Sequence, residues 1–154
     1  MSDWTRTTKE IPFASLPPEM VSAIHKHIEQ HTLGPILSDA LTCLQTNSTK
    51  NKRGLFGSAE TVQMGAIVTP HWLVWAISGS KMKMAVLSAQ LTHITVQNYA
   101  QTPFAKIIPD SGIEVNGMFT DASENASAFI GLEEGAAGNK FRELLINATA
   151  DAKE

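Results

Sequence analysis

The chain has 154 residues, a net charge of −3 at pH 7 and a single cysteine, Cys43. A chain of this length can bury one core without disulfides or metals, and one cysteine excludes an intrachain disulfide. A slightly acidic chain also lacks the overall basic field on which most nucleic-acid binding depends. Because no apolar run is long enough for a signal peptide or a membrane span, we expect a cytoplasmic protein with no transmembrane segment.

The first predicted elements are a loose polar arm over residues 1–15 and an amphipathic helix after it. Proline suits the first helical turn and Glu19 favours its positive end, so the stretch LPPE at 16–19 marks the helix start. The apolar face of this helix must pack on another element. It consists of Met20, Val21, Ile24 and Ile28. A Gly-Pro pair at 34–35 ends the helix, so residues 1–36 form an N-terminal unit and residues 37–150 the main domain.

The segment 36–49 fits two structures. The spacing of its apolar residues is compatible with a helix, whereas its alternation and its threonines favour a strand over residues 40–48, after a helical turn or loop. A loop rich in lysine, arginine, glycine and serine follows at 49–59.

The clearest feature is a hairpin over residues 61–78, in which two strand-like runs meet at a Thr-Pro-His turn. The first run alternates in polarity, and the second, residues 72–77, is apolar on both faces. A strand of this kind needs cover on both sides, so we expect the domain interior on one face and the N-terminal helix or a partner chain on the other. Trp72 and Trp75 lie on opposite faces of it and are the first candidates for an interface.

Further short strands are predicted at 82–87, 91–98, 113–119 and 128–132, with a brief edge strand at 104–108. In the strand at 91–98, the face that carries Ile94 and Val96 points inward. From Ala136 the apolar period changes to that of a helix, with one stripe. The stripe consists of Phe141, Leu144, Leu145 and Ala148. About seven short strands with close turns, between two helices, indicate an antiparallel sheet structure.

Seven antiparallel strands followed by one C-terminal amphipathic helix resemble the pleckstrin-homology-like superfold. The stretch VTPHWLVW at 68–75 is similar to the hairpin between the second and third strands of the bacterial pleckstrin-homology and GRAM-like branch. Residues 87–96 look like a later strand of that branch, and residues 127–145 like its closing strand and helix. The resemblance covers roughly residues 40–148. It implies a mainly β (α+β) fold, a seven-stranded antiparallel barrel or sandwich closed by a C-terminal α-helix, with the N-terminal helix as an addition.

The resemblance implies a non-enzymatic binding module without a cofactor. A protein or peptide partner, or self-association, is the leading expectation, because a peptide can lie along an open sheet edge or beside the C-terminal helix. Recognition of an anionic lipid or a phosphate head group is the alternative. A third class is a small-ligand-binding β-barrel, or an enzyme whose chemistry leaves no motif. A deep apolar cavity would favour this third class over a filled barrel.

The only basic cluster of the sequence lies in the loop after residue 49. In lipid-binding members of the resembled family, the loop in this place carries a basic motif that grips phosphates, although this chain lacks the longer run of basic residues. Lysine and arginine can bind phosphate through charge-assisted hydrogen bonds. The candidate ligand-binding residues, with two lysines of a later hairpin, are Lys50, Lys52, Arg53, Lys81 and Lys83. A solvated loop is the plainer interpretation.

Leu55 and Phe56 stand at the tip of the same loop. Exposed apolar residues beside basic ones suit contact with a membrane surface or a protein, so both residues are interface candidates. The alternative is that both side chains fold back onto the domain.

No catalytic or metal motif is apparent in the sequence. His27 and His31 are four residues apart on the N-terminal helix, as two metal ligands would be, but no third ligand accompanies them. No serine has the glycine pattern of a nucleophile elbow. We therefore predict no catalytic residue and no metal site, and a structural role for Cys43.

Overall fold

The computed structural model describes residues 4–50, 60–118 and 126–154. Within these ranges the protein is mainly β, with antiparallel strands and two α-helices, as predicted. The strands are β1 (Trp4–Glu10), β2 (Thr42–Lys50), β3 (Glu60–Val68), β4 (Trp72–Gly79), β5 (Met82–Gln90), β6 (Thr95–Asn98), β7 (Gly112–Met118) and β8 (Ala126–Gly131). The helices are α1 (Pro18–Gln30) and α2 (Ala136–Ala152).

The strands form two sheets rather than one closed barrel. The first sheet has the order β1-β2-β3-β4-β5, and the second has the order β6-β7-β8. Every neighbouring pair is antiparallel and consecutive in sequence. Short turns join β3, β4 and β5, because antiparallel neighbours need only a few connecting residues, whereas residues 11–41, with α1, connect β1 to β2. In the described part of the chain, neither helix is both long enough and apolar enough to cross a membrane.

The main core lies between the inner face of the five-stranded sheet, the three-stranded sheet and α2. Leu44, Leu73 and Trp75 enter it from the first sheet, and Ile113 and Ile130 from the second. The predicted stripe of α2 faces this core, in which Phe141, Leu145 and Ala148 are buried and Leu144 is partly buried.

A second core covers the outer face of the same sheet. Met20 and Ile24 of α1 pack there against Ile67 and Val74, so of the two covers expected for the outer face of the doubly apolar strand, the N-terminal helix is the one observed. Gly65 permits the close approach of the helix, because a Cβ atom at this position would lie 2.6 Å from Met20 Sδ.

The prediction of a loose N-terminal arm is wrong. Residues Trp4–Glu10 form β1, which pairs with β2 from Trp4 opposite Lys50 to Glu10 opposite Leu44. The strand lacks the usual apolar alternation because its inward face carries Arg6, Thr8 and Glu10, which make ion pairs and hydrogen bonds in place of apolar contacts. The division of the chain at residue 36 stays a prediction.

Two later strands also differ from expectation. Leu91–His93 form a 3₁₀ turn, so the strand predicted at 91–98 is limited to Thr95–Asn98, although Ile94 is buried as expected. Pro103–Lys106 form a second 3₁₀ turn in place of an edge strand. Proline at 103 pre-sets the first residue of such a turn and cannot donate to a sheet.

Candidate functional site

Strand β1 connects the two halves of the protein through alternate residues. Arg6 pairs with Asp110 at 3.0 Å, and Glu10 pairs with Lys140 at 3.0 Å. Between them, Thr8 hydrogen-bonds Glu133. Because side chains alternate along a strand, residues 6, 8 and 10 share one face. That face joins β1 to the segment before β7 and to the region where α2 begins.

Arg6 is the least ordinary residue of this face. Its side chain is 8% exposed, and Nη2 donates a hydrogen bond to Asp110 Oδ2. The rings of Trp4 and Phe129 each lie with their centroid 5.5 Å from Arg6 Cζ, a distance at which a cation is attracted to an aromatic face. Nε and Nη1 are buried and have no acceptor among the described residues. The guanidinium therefore keeps two donors without an acceptor in the described part of the chain.

Gly131 of β8 makes room for this guanidinium. A Cβ atom at position 131 would overlap Arg6 Nε and lie 2.7 Å from Cζ. Burial lowers the pKa of Arg6, and the Asp110 carboxylate raises it again. Arginine does not lose its proton in proteins, so the group stays a charged donor.

Two clefts meet at Arg6 and share Trp4, Arg6 and Asp110. The first has a volume of about 420 Å³ and is polar, with further walls from Pro109, Ser111, Glu133 and Glu134. The second has a volume of about 240 Å³ and lies between the two sheets. Its apolar walls are Val62, Met64, Ile77, Met82 and Phe129, and Thr46, Ser48 and Glu60 add polar groups. Arg6 thus stands at the boundary between a polar and an apolar cleft.

An exposed apolar segment ends at this site. Phe104, Ile107 and Ile108 are 63%, 76% and 64% exposed, and the next two residues line the polar cleft. The Tyr99 hydroxyl donates to the Ile108 carbonyl at 2.7 Å, and the Tyr99 ring contacts Phe129 at 4.9 Å. The segment is therefore tied to the ring that packs against Arg6.

The predicted basic residues are only partly located. Lys50 is exposed at the end of β2, with Nζ 6.0 Å from the centroid of the Trp4 ring, so it lies beside the Arg6 site. Lys81 and Lys83 are exposed at the turn into β5 and the start of that strand, at the same end of the sheet. Four other candidates lie outside the described residues. They are Lys52, Arg53, Leu55 and Phe56.

The two tryptophans of the hairpin lie on opposite faces of β4, as predicted. Trp75 is 2% exposed in the main core, and Trp72 is partly buried beside the second core. Their interface role stays a prediction, and Trp75 would reach a partner only if the core opened.

The surroundings of His27, His31 and Cys43 favour structural roles over metal binding or catalysis. His27 Nε2 lies 2.8 Å from Ser88 Oγ, and burial, with the nearby His31, lowers the pKa of His27. Among the residues described, no three His, Cys, Asp or Glu side chains come together as a metal site would require. Burial raises the pKa of Cys43 to about 11, so its thiol stays protonated at neutral pH. A protonated thiol is a poor nucleophile, in keeping with a structural role.

Arg6 was missed from sequence because its surroundings were taken as a loose arm. A weak signal exists, since threonine and tryptophan favour strands and dominate residues 4–8. The ion-pair partner of Arg6, Asp110, lies 104 residues away, where no local pattern points back to Arg6. Comparisons with models of protein families, with curated proteins and with solved structures give no match for this chain.

Proposed function

We propose that this protein is a non-enzymatic binding module of the pleckstrin-homology-like type. The order of elements supports this proposal, because β2 to β8 are seven antiparallel strands followed by the amphipathic helix α2. Strand β1 would then be an additional edge strand, and α1 an additional cover on the outer face of the first sheet.

The ligand site of this module is the pair of clefts around Arg6. The observation that carries the proposal is a buried guanidinium with Nε and Nη1 unpaired beside an apolar cleft. A buried donor without an acceptor costs about 1–3 kcal/mol, and a ligand that supplies the acceptor removes this cost. Apolar clefts with a few fixed polar groups are the usual form of small-ligand sites. The ligand therefore carries an anionic group for Arg6 and an apolar body.

A peptide or protein partner is the second candidate. Leu41 is 50% exposed beside a shallow groove of about 470 Å³ along α2. Leu144 and Ala148 form the apolar floor of this groove, and Lys140 and Asp151 stand on its sides. A peptide could place a leucine side chain on this floor. Its acidic and basic residues could then pair with Lys140 and Asp151.

A thermal-shift screen with apolar anions, apolar cations and neutral apolar compounds tests the first candidate. We expect apolar anions to raise the melting temperature of the wild type and of Lys50→Gln, which removes an exposed cation beside the same ring. They should not stabilise Arg6→Gln. An equal response of Arg6→Gln and the wild type to every anion would exclude Arg6 as the ligand site.

A further inference from the structure

The charges around Arg6 restrict the charge of its ligand. Asp110 already neutralises the guanidinium, and Glu133 and Glu134 line the same polar cleft. Glu60 lies at the other cleft. A doubly charged phosphate would meet repulsion from several carboxylates and gain little from a cation that is already paired. The site therefore favours a single negative charge, for which the unused N–H donors matter more than net attraction.

The unused donors favour a carboxylate. Nε and Nη1 of Arg6 are N–H donors on different edges of the guanidinium, so a carboxylate accepts a charge-assisted hydrogen bond from one of them and does not bridge the two. Two hydroxyl residues, Thr46 and Ser48, line the apolar cleft close to this point, because Ser48 is the cross-strand partner of Arg6.

The apolar cleft determines the size and shape of the apolar part of the ligand. Val62 and Ile77 form rigid walls, whereas Met64 and Met82 are flexible and adapt to different chains. The volume of about 240 Å³ is slightly below the ~300–1,000 Å³ of common ligand sites, so a short chain fills it.

We infer that the ligand is a medium-chain monocarboxylate, with its carboxylate on Arg6 and its acyl chain between the two sheets. This inference rests on the proposed function and specifies the ligand class for the same site. The exposed side chains of Phe104, Ile107 and Ile108 lie beside the site and give a longer chain an apolar surface outside the cleft.

Titration calorimetry with dissolved hexanoate, octanoate and decanoate tests the inference. Each methylene that enters the cleft is worth up to about a fourfold gain in affinity. We expect Arg6→Gln to weaken octanoate binding at least tenfold, and Lys50→Gln to change it less than twofold. Val62→Phe, which fills the cleft and keeps Arg6, should abolish the gain with chain length, so the test does not depend on the folding of Arg6→Gln. Octanoate offered in phosphatidylcholine vesicles distinguishes uptake from a membrane from uptake from solution.

Octyl phosphate, octylammonium and methyl octanoate separate this inference from the proposed function. Octyl phosphate binding as tightly as octanoate, with the same dependence on Arg6, would overturn the ligand class and leave Arg6 as an anion site. Methyl octanoate binding as tightly as the acid, or no gain with chain length, would overturn the inference as well. If no compound binds in an Arg6-dependent way, the proposed site and the inferred ligand both fail.

Discussion

Thr8 and Glu133 exchange two hydrogen bonds across 125 residues of chain. The Thr8 backbone N–H donates to Glu133 Oε2 at 3.0 Å, and the Glu133 backbone N–H donates to Thr8 Oγ1 at 2.8 Å. The same hydroxyl lies 3.0 Å from Thr46 Oγ1 on the neighbouring strand. One buried threonine thus holds β1 to the first sheet and to the segment before α2.

Replacing this hydroxyl should therefore cost more than its size suggests. Thr8→Val keeps the shape but leaves the Glu133 N–H without its acceptor, and we expect a loss of about 1–3 kcal/mol in the free energy of unfolding. Urea denaturation measures the change. Thr7→Val, on the exposed face of the same strand, is the control and should stay within about 0.5 kcal/mol of the wild type. Equal changes in the free energy of unfolding for the two variants would show that the Thr8 hydroxyl does not stabilise the fold.

A methyl group at position 131 should disturb Arg6 specifically. In Gly131→Ala the new Cβ overlaps the guanidinium, so we expect a loss of about 1–3 kcal/mol from overpacking. In the Arg6→Gln background, the shorter side chain leaves room and the same change should cost clearly less. Denaturation of the four proteins of this double-mutant cycle gives the coupling energy. A coupling near zero would mean that the two residues are not in contact.

The thiol of Cys43 should make the protein less stable in alkali. Its folded pKa of about 11 lies above the unfolded value, so the stabilisation is complete below pH 9 and is lost as the pH rises towards 11. We expect the wild type to lose on the order of 2 kcal/mol more than Cys43→Ala over this interval. Unfolding free energies at several pH values measure the difference. Parallel pH profiles for the two proteins would contradict the burial of the thiol.

His27 should have the opposite effect in mild acid. Burial and His31 lower its folded pKa below the ordinary value near 6.5, so the neutral ring is favoured in the folded protein. The stabilisation by the neutral ring is complete above the unfolded pKa near 6.5. It is lost as the pH falls from there towards the folded pKa. His27→Gln should flatten the stability profile between pH 7 and pH 5, as measured by thermal unfolding. The exposed turn residue His71, changed to Gln, serves as the control, and its profile should follow that of the wild type.

The predictable parts of the fold are those in which apolar residues recur at regular spacing within a short stretch of sequence. The hairpin of β3 and β4 could be predicted because one strand alternates and the other is apolar on both faces. The need for cover on its outer face followed from the same pattern, and Ile67 and Val74 lie under Met20 and Ile24 of α1. The α2 stripe was equally visible at helical spacing.

The candidate site could not be predicted, because its pairing is not local. Arg6 meets Asp110 through the antiparallel register of β1 on β2 and the packing of the two sheets, and the sequence around either residue does not indicate the other. The bulge in β7 between Asn116 and Met118 is a similar case. Plain alternation would have placed Met118 on the other face of the strand from Ile113. The bulge turns Met118 to the same buried face.

The position of β1 has a consequence for the order in which the protein is built. The contacts of Arg6, Thr8 and Glu10 reach across 104, 125 and 130 residues, so β1 completes them only after segments far along the chain have been synthesised. Contacts of such long range form late and slow the search for the native state. A nascent chain that lacks residues 129–134 has no completed cleft at Arg6, because Phe129, Gly131 and Glu133 line the two clefts. Ligand capture at this site would therefore require that both sheets have already formed.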